Sequence, residues 1–231
     1  MLIGSIYLEI FWVIILSFYA VCVFFLTEKF YYWILKKVHK KEIAIYYNRK
    51  LIHIFAGGVI LLVVPFVFPN PWYPLIFGIL LASITYIAHK KGNVFFWFQT
   101  KDNLNDVTFC LMWGVAIFVL WQILGNPWIA IIPPAFMAFG DGITGIVRNL
   151  AFKERKKHPI GNLYMAGFCI IIGYYFGSLS QIEGMVLWGV IAAIAASIFE
   201  RFEFGPIDDN ILITVISTVI LYLGSQIGSI F

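Results

Sequence analysis

The sequence predicts an all-α, polytopic membrane protein of about eight transmembrane helices, with both termini on the non-cytoplasmic side. Three observations predict it. Of 231 residues, 61% are hydrophobic and 12% charged, against about 25% charged in a soluble domain. The apolar runs are long and unbroken rather than alternating ten-residue segments, which favours helices over a β-barrel. Every Lys and Arg falls in alternate connections between those runs. A soluble globular enzyme, a disordered chain and a nucleic-acid-binding protein are excluded by the same composition.

The runs cover residues 2–26, 51–69, 72–88, 106–124, 127–147, 162–180, 184–199 and 211–230. The first has no basic residues ahead of it and exceeds the apolar core of a signal peptide, so it reads as a retained span. Between the runs, the first, third, fifth and seventh connections hold all 16 Lys and Arg. The other three, around Asn70, Asn126 and Ser180, hold none. The positive-inside rule makes the charged connections cytoplasmic. All four histidines and ten of the twelve acids lie on or near that side; only Glu9 and Glu183 do not. The opposite side is built from tight turns, Pro69-Asn70-Pro71-Trp72 and Gly125-Asn126-Pro127-Trp128, in which proline suits a first helical turn and tryptophan an interface. Val94-Phe95-Phe96-Trp97-Phe98 in the third connection is too short to span, and is expected in the interface or lining a lipid entrance. Cys22, Cys110 and Cys169 show no short spacing, so they read as small core residues, not as a disulfide frame or zinc site.

Four stretches carry chemistry. Asn48-Arg49-Lys50-Leu51-Ile52-His53 opens the second run. On a helix Arg49 and Lys50 lie one turn from His53, and two cations with an imidazole could hold a polyphosphate, the guanidinium as a fork and the ammonium as a point charge. The alternative for the two cations is a basic anchor of a membrane helix. Phe139-Gly140-Asp141-Gly142-Ile143-Thr144-Gly145 leads to Arg148, and Asp141, Thr144 and Arg148 share one helix face. A carboxylate inside a span costs about 2.5–3.5 kcal/mol on insertion scales, so Asp141 needs a partner or a task. An inter-helix pair with Arg or His is the structural alternative to a magnesium- or phosphate-handling role. In the basic loop 153–162, Gly161 and Asn162 stand where a helix N-terminus can aim amides at an anion. Glu200, Glu203, Asp208, Asp209 and Asn210 form an oxygen-rich cluster facing a basic surface. One of them is an ordinary helix cap; the others suit Mg²⁺ bound to a nucleoside triphosphate. Asp106 could cap the fourth run or join that cluster.

No Gly-x-x-x-x-Gly-Lys-Ser/Thr is present, which excludes a P-loop enzyme. The ordered set, Arg49-Lys50-x-x-His53, then Gly140-Asp141-Gly142, a basic loop, Glu200-x-x-Glu203 and Asp208-Asp209-Asn210, resembles the CTP-dependent dolichol, phytol and polyprenol kinase family, which is related to membrane cytidylyltransferases. The resemblance runs from about Asn48 to Ile213. Lys157-His158-Pro159-Ile160-Gly161-Asn162 stands where many members carry a Lys-Ser-x-Glu-Gly-Thr type loop. The resemblance implies a single membrane domain over 1–231, with 1–47 an N-terminal helix and basic loop and 48–231 the catalytic core. It implies a kinase that moves the γ-phosphoryl of CTP to a membrane lipid alcohol of isoprenoid type. The expected catalytic residues are Asp141, Arg148 and His53. Nucleotide binding is expected of Arg49, Lys50, Lys157, His158, Gly161 and Asn162, and Mg²⁺ binding of Asp208, Asp209, Asn210, Asp141, Glu200 and Glu203. Such a protein resides in the lipid bilayer, in a cell membrane or an endoplasmic-reticulum-type membrane according to the cell, with its site facing the cytoplasm. Homo-oligomerisation stays open. The alternatives are CDP-lipid synthesis with the same ligands, or an ion-coupled transporter with Asp141 as the ion site.

Overall fold

Each apolar run becomes a helix. In the computed structural model, which describes residues 6–152 and 157–228, these are α1 (Ile6–Val38), α2 (Lys41–Val67), α3 (Trp72–Lys90), α4 (Asn105–Leu124), α5 (Pro127–Phe152), α6 (Pro159–Leu179), α7 (Met185–Phe199) and α8 (Asp209–Ile227). The described residues form no sheet, only one isolated bridge between Phe204 and Ile207. Seven helices are long and apolar enough to cross a membrane. The exception is α7, whose 15 residues reach about 22 Å at 1.5 Å per residue, short of the roughly 30 Å hydrocarbon core. Glu154 and its neighbours in the basic loop, residues 153–156, lie outside the described residues.

The helices differ sharply in how much they bury. Of the apolar window of α5, 83% is buried, against 17% for α1. The central helix is therefore α5, touching α2, α4, α6, α7 and α8, while α1 lies at the rim against α2. The remaining contacts run α3 on α4, α6 on α7, α7 on α8 and α8 on α4. Helices α6 and α7 approach most closely at Gly173 and Gly189, where a Cβ on either would collide with the other's backbone. Such small-residue contacts suit helices packed in lipid, where association rests on close van der Waals contact.

Two helices contain a wide π-helical turn, His53–Gly58 in α2 and Phe136–Asp141 in α5. The two turns pack against each other. An extra residue per turn re-aims the side chains at its ends, which is why such turns recur at functional sites. One begins with His53 and the other ends with Asp141.

Contacts define two ends of the bundle. At one, Tyr73 of α3 donates to Glu9 of α1, and Asn126 Nδ2 donates to the Ser180 carbonyl at 2.9 Å. Both expected turns form there: Asn70 Oδ1 accepts from the Trp72 amide at 3.1 Å, and Asn126 Oδ1 from the Trp128 amide at 2.9 Å. The other end carries the basic connections. There the Phe95–Phe98 stretch folds onto α1 and α2, with Trp97 and Phe98 buried and the Trp97 carbonyl accepting from Asn48 Nδ2 at 2.9 Å.

Candidate functional site

The basic end gathers side chains from α2, α5, α6, α7 and α8. Helix α2 begins at Lys41, ten residues before the apolar run that marks it, so Arg49 and Lys50 sit well inside the helix instead of at its start. Both are buried, as are Asn48 and His53. Lys50 Nζ donates to Asp141 Oδ2. His53 Nδ1 lies 3.6 Å from the same oxygen, and the imidazole stacks on Phe109 with ring centroids 3.7 Å apart. Among the described residues, Asp141 Oδ1 has no hydrogen-bond partner. Gly145 makes this pairing possible: a Cβ there would lie 2.7 Å from Lys50 Cε and 3.0 Å from the Tyr46 hydroxyl.

Arg148, one face with Asp141 but two turns on, is held separately. Its Nη1 and Nη2 donate to Glu200 Oε1 and Oε2 at 2.7 and 2.8 Å. Its Nη2 also reaches Asn162 Oδ1 at 2.9 Å, and its Nε the His158 carbonyl at 3.1 Å. Such a fork-to-carboxylate pair, fully hydrogen-bonded, is the geometry in which a buried charge pair is tolerated. Asn162 in turn donates to Glu200 Oε2 at 2.9 Å and to the Ser197 carbonyl. Gly161 is pressed against Arg148 and Thr144, where a Cβ would lie 2.5 Å from Arg148 Nε.

Three carboxylates, from α5, from the C-terminal cap of α7 and from α8, meet here. Asp141, Glu200 and Asp209 are all buried, and one oxygen of each lies within 4.8 Å of the others. Lys157 ties them to the surface, donating to the Glu200 carbonyl at 3.1 Å and lying 2.8 Å from Glu203 and 3.8 Å from Asp209. Tyr46, Arg49, Lys50, Arg148, Lys157, Glu200, Glu203 and Asp209 surround a cavity of about 20 Å³, room for one water or one ion. Among the described residues, no carboxylate comes within 4.0 Å of Arg49. Its guanidinium meets only Asn103 Oδ1, at 3.5 Å, and the Tyr46 ring, while its Nε is buried without a partner.

The structure thus brings together Arg49, Lys50, His53, Asp141, Arg148, Lys157, Glu200, Glu203 and Asp209. Other sequence-derived candidates sit elsewhere or support their neighbours. Asp208 caps α8, accepting from the Ile211 amide at 3.1 Å, and its second oxygen takes the Thr108 hydroxyl. Burial pushes its carboxyl above the ordinary range, against those hydrogen bonds. Asn210 Nδ2 faces α4, donating to the Asn105 carbonyl at 2.8 Å, and its Oδ1 is unpartnered. His158 caps α6 through Nδ1. The Gly161 amide is engaged with the His158 carbonyl at 3.1 Å, and Asn162 serves the Arg148–Glu200 pair.

Two features escaped sequence reasoning. Tyr46 lines the cavity, and its only signal was its place one turn before Lys50. Asp106 neither caps nor joins the acid cluster: its Oδ1 lies 3.1 Å from His89 Nε2, and its Oδ2 accepts from Gln99. That satisfied group ties the Phe95–Phe98 stretch to α3 and α4.

The donor set can be tested against a divalent cation. Carboxylate oxygens are hard ligands for divalent cations, and Asp141, Glu200 and Asp209 each offer one. Asp209 completes a two-carboxylate grip beside Glu200, whose two oxygens are already shared with Arg148. A buried acidic triad of this kind can hold a metal ion. The chain matches no protein-family model, no curated protein and no solved structure.

Proposed function

We propose that this protein is a membrane phosphotransferase that uses CTP and Mg²⁺ to phosphorylate a long-chain isoprenoid alcohol at the cytoplasmic face. One observation carries the proposal: three buried carboxylates lie within 4.8 Å of one another, and two of them, Glu200 and Asp209, line one cavity with Arg49, Lys50, Arg148 and Lys157, Lys50 being the partner of the third, Asp141. Phosphoryl transfer asks a protein mainly for positioning and charge neutralisation, without a covalent nucleophile. This arrangement supplies both. The motif order, which resembles that of prenol kinases, supports the choice of substrates.

Each residue has a distinct task. Arg49 meets no carboxylate among the described residues and takes phosphate oxygens as a fork. Lys157, half-exposed at the mouth, exchanges Glu203 for phosphate. Lys50 holds Asp141 through Oδ2 and leaves Oδ1 to accept the proton of the lipid hydroxyl. The alcohol oxygen then bonds to the γ-phosphorus as the bond to the bridging oxygen of CDP breaks; CDP leaves with that oxygen. Arg148 and Asn162 position Glu200. When bound, Mg²⁺ would neutralise charge on the transferring phosphates. The present cavity admits an ion but not a triphosphate, so nucleotide entry requires the Lys157–Glu203 contact to open.

The test incubates purified protein with γ-labelled CTP, Mg²⁺ and a panel of prenols. Label in a prenyl phosphate is expected. Pyrophosphate release with a CDP-lipid product would replace the kinase with nucleotidyl transfer. Cation-driven solute uptake by reconstituted vesicles, without either product, would replace both with transport.

A further inference from the structure

Helix α1 is tied to the bundle at Glu9, near its start, and again at Phe24, just past its middle. At the end remote from the site, the Tyr73 hydroxyl of α3 clasps Glu9. At the basic end, the Phe24 ring meets Phe95 at 5.0 Å and Trp97 at 4.9 Å. Between the clasps lies a cavity of about 350 Å³, within the size range of small-molecule sites and far above an ordinary packing void. Ile10 and Leu16 of α1 form one wall, Phe77 and Leu80 of α3 the other, with Ile60 and Trp113 behind them.

The cavity has a continuation toward the chemistry. A second apolar space of about 80 Å³ shares Ile60, Phe77 and Trp113 with the first and runs on to Ile52, Gly57 and Phe109. Phe109 is the ring on which His53 stacks. Along α1 the two spaces extend from Ile10 to Ala20, about 15 Å at 1.5 Å per residue. No charged residue lines either one.

We infer that this groove holds the hydrocarbon tail of the isoprenoid acceptor, with its hydroxyl directed past Phe109 toward His53 and Asp141. The inference rests on the kinase proposal for the identity of the lipid. It follows from three features together. The walls are apolar and reach the bilayer side through Ile10 and Leu80, which are about half exposed. The inner end stops at the ring that backs the buried His53–Asp141 contact. The Glu9 and Phe24 contacts flank the seam. A polar headgroup entering from the outer end would meet only hydrocarbon, so an alcohol whose single polar atom sits at the inner end is the occupant that matches.

The experiment photolabels purified protein in detergent with a polyprenol carrying a diazirine in its tail, and locates the adducts by mass spectrometry. Adducts at Leu16, Ser17, Phe77 or Trp113, competed by unlabelled polyprenol but not by excess phosphatidylcholine, are expected. Ser17 lines the groove away from the polar site, and Ser17→Trp, which fills it there, should reduce labelling at least about tenfold. Equal competition by phosphatidylcholine would overturn the proposal, leaving a general lipid seam. Adducts scattered over outward-facing Ile14 and Phe18 would also overturn it. If Ser17→Trp does not fold, the adduct sites and competition in the unsubstituted protein still decide. Selective groove labelling in a protein that phosphorylates no prenol would uphold the groove and remove the kinase proposal.

Discussion

The two ends of the bundle treat polar groups in opposite ways. At the end with the Asn70 and Asn126 turns, each asparagine oxygen accepts a helix amide, and Glu9 meets the Tyr73 hydroxyl. At the basic end, buried polar atoms are left over: Asn48 Oδ1, Arg49 Nε, His53 Nδ1, Trp97 Nε1, Asp141 Oδ1, Asn210 Oδ1 and both amide atoms of Asn149. Elsewhere among the described residues, only Thr218 Oγ1 shares that condition. An unsatisfied buried group costs about 1–3 kcal/mol. A fold that caps its turns economically at one end and leaves such atoms at the other has stored polarity where a ligand can use it.

The largest effect expected within this comparison comes from Glu200. Glu200→Ala strands Arg148 in a site where both side chains are almost fully buried, and breaking a buried pair costs about 3–5 kcal/mol. Thermal unfolding in detergent should show a large loss of stability. An unchanged midpoint would mean that the pair is not formed in solution. Asp209→Asn removes one hard anionic ligand but no strong ion pair, since Lys157 stands 3.8 Å away. It should raise the Mg²⁺ concentration for half-maximal turnover at least about tenfold, by the strength of a charged ligand contact, with little change in stability. A preserved Mg²⁺ response would remove Asp209 from the cation site.

Smaller effects sharpen the contrast. Arg49→Lys replaces a planar fork by a point charge and should weaken CTP binding about tenfold, roughly one charge-assisted hydrogen bond. Isothermal titration would read this, and equal affinity would return Arg49 to a membrane-anchor role. At the opposite end, Asn126→Ala removes a helix cap and should cost about 1 kcal/mol while leaving turnover unchanged. A loss of turnover there would show that the ends are coupled and not independent.

The helices were legible because hydropathy marks lipid-facing surface directly. Their ends were less so. The first ten residues of α2 carry Lys41, Glu42, Asn48, Arg49 and Lys50 and fell in the connection before the apolar run, because charges that pair across helices look like solvated charges in one dimension. The Asp141 position declared itself by its insertion cost, yet its partner did not. Arg148 shares its helix face, but Lys50, 91 residues away, takes its oxygen, because the facing wide turns of α2 and α5 bring the two together. Glu200 was legible as an acid and not as the partner of Arg148. Asp208 and Asp209 are indistinguishable in sequence. The start of α8 separates them, turning the first to the Ile211 amide and Thr108 and the second toward Asp141.

Asp141 bears the central claim, that the polar atoms left over at the basic end perform phosphoryl transfer. Asp141→Asn keeps an oxygen for Lys50 and removes the free carboxylate oxygen. The direct measurement is single-turnover transfer of label from γ-labelled CTP to a polyprenol by this variant and the unsubstituted protein, at matched folded concentration. The account predicts label in polyprenyl phosphate from the unsubstituted protein and a rate at least about 10²-fold lower in the variant, the low end for losing a positioned acid–base group. Equal rates would contradict it, as would an unsubstituted protein that transfers no label to any prenol.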